Sequence, residues 1–285
     1  MAKVGVVTDS CASIPKDLSV AYDIQVVPYN VHIQGQTHKD LVDLQRREFY
    51  EYLATAKELP KTANPSPGDF LQVYKRLAET TNEIISIHMT SIGSGAYQAA
   101  QVAAEMLRET FPDVRVAVID SRQTAMCYGW MAIEAARASQ AGQTLNEIVD
   151  LVKGMIPRAR MIMTADTLKY LYMGGRIGRA KHLLGSLLSI KPLIGMDDGV
   201  IVALGQARSR CKAYKRMVEI MEETSDRLTE FQVAITHVAA LVEAEKLRAM
   251  VAERVRCQEL LIAELSPALG VHTGPGTVGV CFIKL

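Results

Sequence analysis

Four features of the sequence carry residues that could hold an anion. The first is Thr90 to Gly95, TSIGSG, with Ser91 and Ser94 spaced by small residues. The second is a pattern that occurs twice, an apolar run ending in Asp-Ser, at Asp9-Ser10 and at Asp120-Ser121. The third is Pro60 to Pro67, PKTANPSP, which holds Thr62. The fourth is Gly270 to Gly279, GVHTGPGTVG, where His272 leads Gly274-Pro275-Gly276. Hydroxyls, free backbone N–H groups and an imidazole are all hydrogen-bond donors, and donors at a helix start favour negative charge. Each stretch also has a plainer reading. Ser, Gly, Asp and Pro are ordinary turn formers and caps, a Pro-rich segment is also a linker, and a lone His is often structural.

The elements around them read as α/β. Ile84 to Met89, IISIHM, is an apolar run that suits a strand covered on both faces. Ala96 onward, AYQAAQVAAEMLRE, suits a helix, with Ser94 placed as its N-cap. A strand, a tight Ser/Gly turn and a helix start together make an anion site. Val4 to Val7 and Arg115 to Asp120 read as parallel strands, and in such sheets ligands bind at the C-terminal edge. If these strands are neighbours, their Asp-Ser ends share one rim with Ser91 and Ser94. Ile24 to Ile33 reads as one strand, edge-placed or bulged at Pro28. Asp43 to Lys57 has helical period, and Pro60 to Pro67 admits no regular element. Helices are expected at about 124–140 and 144–155, the second with Thr144 and Glu147 at capping-box spacing.

From Arg160 the character changes. Arg160 to Asp166 reads as a strand. Leu168 to Arg179 and a Leu-rich helix follow, ending at Lys191-Pro192. Pro192 to Arg208 reads as a hairpin turning at Asp198-Gly199. A helix (about Cys211 to Asp226) and alternating strands and helices complete the chain, the strands at Gln232 to Val238, Glu259 to Leu265 and Val278 to Lys284, with a helix at Leu241 to Val255. The expectation is two domains, 1–158 with a parallel sheet and 159–285 with a mixed sheet.

Other functions are disfavoured. With 32 basic and 31 acidic residues in 285, the net charge is +1, too balanced for a nucleic-acid surface. No apolar run nears the ~18 residues of a membrane helix, and the start, MAKVGVVTDS, lacks a signal-peptide core, so a cytoplasmic protein is expected. Five scattered cysteines fit free thiols in a reducing compartment, and the six histidines show no metal-ligand spacing. Gly174-Gly175-Arg176-Ile177-Gly178 is not a dinucleotide fingerprint, there is no P-loop, and Ile92 breaks a nucleophile elbow around Ser94.

Taken in order, VTDSCASIP, KTANPSP, TSIGSGAYQAA, VIDSRQTAMCYG, LKYLYMGGRIG with LLGSLLSIKPLI, GQARSRCKAY and HTGPGTVGV resemble the DegV family of bacterial fatty-acid-binding proteins over nearly the whole chain. The resemblance implies a two-domain α/β fold closing on one long-chain fatty acid such as palmitate, stearate or oleate. It implies no catalytic residue, metal or other cofactor. By matching motifs, Thr62, Ser94, Gly95 and His272 would contact the carboxylate, with Ser91, Asp9, Ser10 and Ser121 on the same rim. Arg176, Arg208 and Arg210 would meet a partner or a phosphate. The partner implied is a dihydroxyacetone-kinase-like, ATP-binding subunit of a fatty acid kinase, with no nucleic acid and no stable membrane insertion. Ala96, Ala63 and Ile92-Gly93 depart from the usual pattern and bear on the pocket's shape. The competing readings are a Ser/His hydrolase and a sensor of another small carboxylic acid on the same fold.

Overall fold

The computed structural model describes residues 3–186, 190–224 and 229–285. Four parallel strands form the first sheet: β1 (Gly5–Asp9), β2 (Ile24–Val27), β6 (Glu83–His88) and β7 (Arg115–Asp120), in the order β2-β1-β6-β7. In β6 every residue after Glu83 is buried, as expected of a strand covered on both faces. The covering helices are α1 (Lys16–Ala21), α3 (Pro67–Ala78), α4 (Ala96–Arg108), α5 (Met126–Gln140) and α6 (Leu145–Met155). Alanines at 96, 99, 100, 103 and 104 put a smooth buried face of α4 against the sheet. Ser66 with Asp69 and Thr144 with Glu147 close capping boxes at the starts of α3 and α6.

A second, three-stranded sheet, β4-β3-β5, stands beside the first: β3 (Asn30–Ile33), β4 (Gln36–Lys39) and β5 (Lys61–Ala63), with α2 (Arg46–Thr55) between β4 and β5. Two expectations are corrected here. Ile24 to Ile33 is not one strand, because the chain breaks at Pro28-Tyr29 and β3 leaves for the other sheet. The segment PKTANPSP is not wholly irregular, because Lys61–Ala63 pairs antiparallel with β3, placing Thr62 opposite Val31.

The third sheet is mixed, ordered β10-β9-β8-β13-β11-β12. It contains β8 (Ala159–Thr164), β9 (Lys191–Asp197), β10 (Val200–Ala207), β11 (Phe231–His237), β12 (Cys257–Glu264) and β13 (Val278–Lys284). The hairpin β9-β10 turns at Asp198-Gly199 as its Asp-Gly signal requires. Its helices are α7 (Lys169–Met173), α8 (Arg210–Glu223), α9 (Leu241–Arg254) and α10 (Pro267–Thr273). The Leu-rich helix is a 3-10 helix over Gly178–Ser186, and its continuation at 187–189 lies outside the described residues, as does Asp226. His272 does not sit in a bare loop. It occupies the last turn of α10, which Ser266 caps and Pro267 opens. The protein is thus α/β, with a parallel sheet in the N-terminal part and a mixed sheet in the C-terminal part. Among the described residues no helix is long and apolar enough to cross a membrane, and no group of three or more His, Cys, Asp or Glu could hold a metal ion.

Candidate functional site

A cavity of about 400 Å3 opens where the parallel sheet's C-terminal rim meets β5, the β9-β10 hairpin, α7 and α10. Met89, Met161, Met163, Met196, Leu171 and Ile201 give it apolar walls. Methionine is unbranched and polarizable, which suits a wall that must fit a flexible guest. Polar side chains in the lining include Thr62, Ser94, Tyr29, His272 and Arg176, with Asn64, Thr90, Thr124 and Thr273. Thr62 Oγ1 lies 2.7 Å from His272 Nε2, and Ser94 Oγ lies 2.6 Å from the Tyr29 hydroxyl. Ser94 is not the N-cap of α4, since Gly95 holds that place, yet its Oγ accepts from Ala96 N–H at 3.2 Å. Gly95 also lines the cavity, and a Cβ there would come within 2.8 Å of Asn64 Oδ1.

The electrostatics favour neutral donors facing the cavity, with the guanidinium of Arg176 also in its lining. Burial, then the charge of Arg176, holds the His272 imidazole down to about 4, so it is neutral at pH 7. Its Nδ1 is enclosed without a hydrogen-bond partner among the described residues. A Cβ at Gly174 would collide with that atom, so the ring's place depends on a residue with no side chain there. Arg176 is exposed, with its Nη1 donating to Gly174 O at 2.7 Å. At the hairpin tip, Gly199 O accepts from Thr90 Oγ1 at 3.1 Å, and Arg122 reaches Asp198 at 3.6 Å. The tip therefore fastens the two sheets across the cavity.

The expected rim exists, but most of its groups are committed elsewhere. Asp9 Oδ1 accepts from Tyr128 OH (2.6 Å) and Cys11 N (3.1 Å), and its Oδ2 pairs with His88 Nδ1 at 2.9 Å. Ser10 Oγ donates to Asp40 at 2.6 Å and accepts from Tyr29 N. Ser91 Oγ donates to Asp120 at 2.5 Å, and Ser121 Oγ folds back onto Gln123. None of Asp9, Ser10, Ser91 and Ser121 is among the residues lining the cavity. Arg210 is likewise occupied, donating to Asp166 (2.6 Å), Gly276 O (2.7 Å) and Tyr214 OH (3.1 Å). Arg208 is exposed, so the two do not act as a matched pair. Of the departures from the usual motif, Ala63, Ile92 and Gly93 line the cavity, whereas Ala96 is buried in the start of α4 and does not.

Ser86 Oγ lies 2.7 Å from His88 Nε2, and His88 Nδ1 reaches Asp9, the order of a hydrolase triad. All three side chains are fully buried, none lines the cavity, and Ser86 also accepts from Tyr74 OH at 2.7 Å. With no room for a substrate carbonyl at Ser86, this chain of bonds fastens β1, β6 and α3 together.

Two residues that motif reading passed over hold the polar end in place. Tyr29, turned by the break after Pro28, is the partner of Ser94. Asp40 is fully buried and ties Ser10 to α10, accepting from Ala268 N at 3.3 Å. Burial pushes the Asp40 carboxyl from its ordinary 3.8 up to about 6, against bonds from Ser10, Ser266 and Ala268 and the charge of Arg46. The folded protein therefore holds this proton more tightly than the unfolded chain, and stability is lost as pH rises from 3.8 through 6. At about 1.36 kcal/mol per unit, the total is about 3 kcal/mol. Measured by urea unfolding, wild type should lose most of that relative to Asp40→Asn between pH 4 and 7. His272 and His237, both held down to about 4, work the other way in this window and cancel in the difference. A difference that does not change with pH would refute the assignment.

The model of the DegV family, described as "Uncharacterised protein, DegV family", matches residues 3–285. The chain belongs to the DegV family. A DegV domain-containing protein of Caldanaerobacter subterraneus is 34% identical over 282 residues, covering 99% of each chain. The solved structure of a fatty-acid-binding DegV family protein from Thermus thermophilus superposes with a TM-score of 0.93, at 28% identity, covering 99% of this chain and 100% of that one. A stearic acid-binding protein from Eubacterium ventriosum gives 0.90 at 26% identity, covering 99% of this chain and 98% of that one.

Proposed function

We propose that this DegV protein carries one long-chain fatty acid between an N-terminal unit, 1–158, and a C-terminal unit, 159–285, and does no chemistry on it alone. The observation that carries the reading is the pairing of one apolar cavity with hydroxyls delivered from two separate segments, Thr62 on β5 and Ser94 before α4. A carboxylate leaving water needs such donors. The tail supplies the larger share, since ~0.8 kcal/mol per buried methylene gives a sixteen-carbon chain on the order of 10 kcal/mol before ordering costs. Palmitate, stearate and oleate are all within the proposed class. His272 reaches the head group through Thr62, whose hydroxyl it touches, and Gly95 lets the chain pass close to it.

The carried acid would be presented to a separate dihydroxyacetone-kinase-like, ATP-binding subunit for acyl phosphate formation. Two exposed arginines, Arg176 at the cavity and Arg208 after the hairpin, suit an acidic or phosphorylated partner surface. Arg210, two residues after Arg208, is held by its bond to Asp166. Native mass spectrometry of the purified protein should show one bound fatty acid. Labelled oleate with ATP should give acyl phosphate only when the kinase subunit is added. A lipid-free protein that also refuses added palmitate and oleate would sink the carrier reading, and acyl phosphate formed without the partner would sink the division of labour.

A further inference from the structure

Asp40 stands behind the cavity wall: it is fully buried and does not itself line the cavity. Its hydrogen bonds run to residues that do. Oδ1 accepts from Ala268 N at 3.3 Å, in the first turn of α10, and Asp40 N donates to Tyr29 O at 2.9 Å. Ala268 and Tyr29 both line the cavity, and the Tyr29 hydroxyl lies 2.6 Å from Ser94 Oγ. A carboxylate held at Ser94 is thus linked to a second, buried carboxyl by the length of one tyrosine.

Little around that second carboxyl can neutralise it. Among the described residues no cation is bonded to it. Arg46 on α2 attracts it across space, but Arg46 Nε donates to Leu265 O at 3.2 Å, and its charge also acts on His237 and Glu264 at the ends of β11 and β12. Lys39 turns away to Asp69 at 2.9 Å. The other titratable neighbours are acids. Burial pushes the Cys11 thiol and the Tyr29 and Tyr50 phenols well above their ordinary range, so they stay neutral, and Asp9 brings a like charge to Cys11 and Tyr29. The hydroxyl of Ser10, at 2.6 Å, and that of Ser266 steady the ionised form of Asp40, yet burial outweighs them and holds the group up to about 6. Asp40 therefore changes charge just below neutral pH.

We infer that Asp40 links fatty-acid loading to proton uptake: a carboxylate in the cavity and an ionised Asp40 disfavour one another, so acidification promotes loading and a rise in pH through neutrality promotes release. The inference rests on the fatty-acid reading and adds a regulation to it. Two like charges on either side of a buried wall repel, because little water screens them. Below pH 6 Asp40 is neutral, and the incoming acid meets no repulsion from it. Above pH 6, binding either sets two anions near each other or draws a proton onto Asp40, and each course weakens the apparent affinity.

The test is palmitate titration from pH 5 to pH 8 with wild type, Asp40→Asn and Ser10→Ala, with thermal melts as a fold check. Relative to Asp40→Asn, wild type should lose about tenfold in affinity across that range, which corresponds to bound palmitate raising the Asp40 pKa by about one. The ratio cancels the titration of palmitate itself and of His272, which both proteins share. Calorimetry near pH 6.5, in buffers of different ionisation enthalpy, should show wild type taking up about half a proton more per palmitate than Asp40→Asn. Ser10→Ala removes a donor to the ionised carboxyl, so its affinity should begin to fall at a higher pH than that of wild type, which keeps the idea testable if Asp40→Asn folds poorly. A wild-type-to-Asn ratio that is flat with pH, equal proton uptake in the two proteins, or a Ser10→Ala profile that coincides with wild type overturns the inference. A wild type that binds no palmitate at any pH overturns the fatty-acid reading itself, a distinct result.

Discussion

Asp9→Ala is expected to lower the unfolding free energy by about 3–5 kcal/mol, the usual scale for removing one member of a buried, hydrogen-bonded polar group. The substitution leaves three donors without their acceptor: Tyr128 OH, Cys11 N and His88 Nδ1. Asp9 and His88 are fully buried, so no solvent replaces the lost bonds. The damage spreads because His88 passes the contact on to Ser86 and Tyr74, which join β6 to α3. Urea unfolding gives the stability change. Fatty-acid titration, at a temperature where the variant is folded, should show affinity within a few-fold of wild type, because Asp9 does not line the cavity. The opposite pattern, a small stability loss with binding abolished, would return Asp9 to the ligand and remove the structural role argued for it.

That contrast shows what a sequence can and cannot carry. The strand before Thr90, the helix after Gly95 and the Asp-Gly hairpin were legible because their signals are local: an apolar run, a small-residue turn and a two-residue loop. The rim of Asp-Ser strand ends was legible too, since β1, β6 and β7 are parallel neighbours. Which hydroxyls stay free on that rim was not. Ser10 is consumed by Asp40, thirty residues away, and Ser91 by Asp120, twenty-nine away. Partners at that range are set by topology, and residue type alone does not reveal them. Tyr29 was hidden for a related reason. Period-two reading runs Ile24 to Ile33 together, whereas the turn at Pro28 sends β3 to another sheet and aims the ring at Ser94. The helix that carries His272 did have a local signal, Ser266-Pro267 at its start and Gly274 beyond its end. The neighbouring Gly-Pro-Gly drew the reading towards a loop instead.

A Thr62→Val, Ser94→Ala double variant should lose fatty-acid affinity by about 2–4 kcal/mol, roughly thirty- to a thousandfold. Each substitution removes one donor from the cavity while keeping its volume nearly intact. Some stability goes as well, about 1–3 kcal/mol, because Tyr29 OH and His272 Nε2 each lose a partner. A melting curve therefore has to accompany the titration, but it cannot alone tell a missing head-group contact from a loosened cavity. Chain length can. The two hydroxyls act only on the carboxylate, so fourteen-, sixteen- and eighteen-carbon acids should all weaken by the same factor. The gain per added methylene, of order 0.8 kcal/mol at most, should survive unchanged, because it comes from Met89, Met161, Met163 and the other apolar walls. A loss that grows with chain length would mean that the substitutions had reshaped the tail's part of the cavity. Full affinity in the double variant would put the carboxylate at another place in the cavity, with the exposed guanidinium of Arg176 then the group to test.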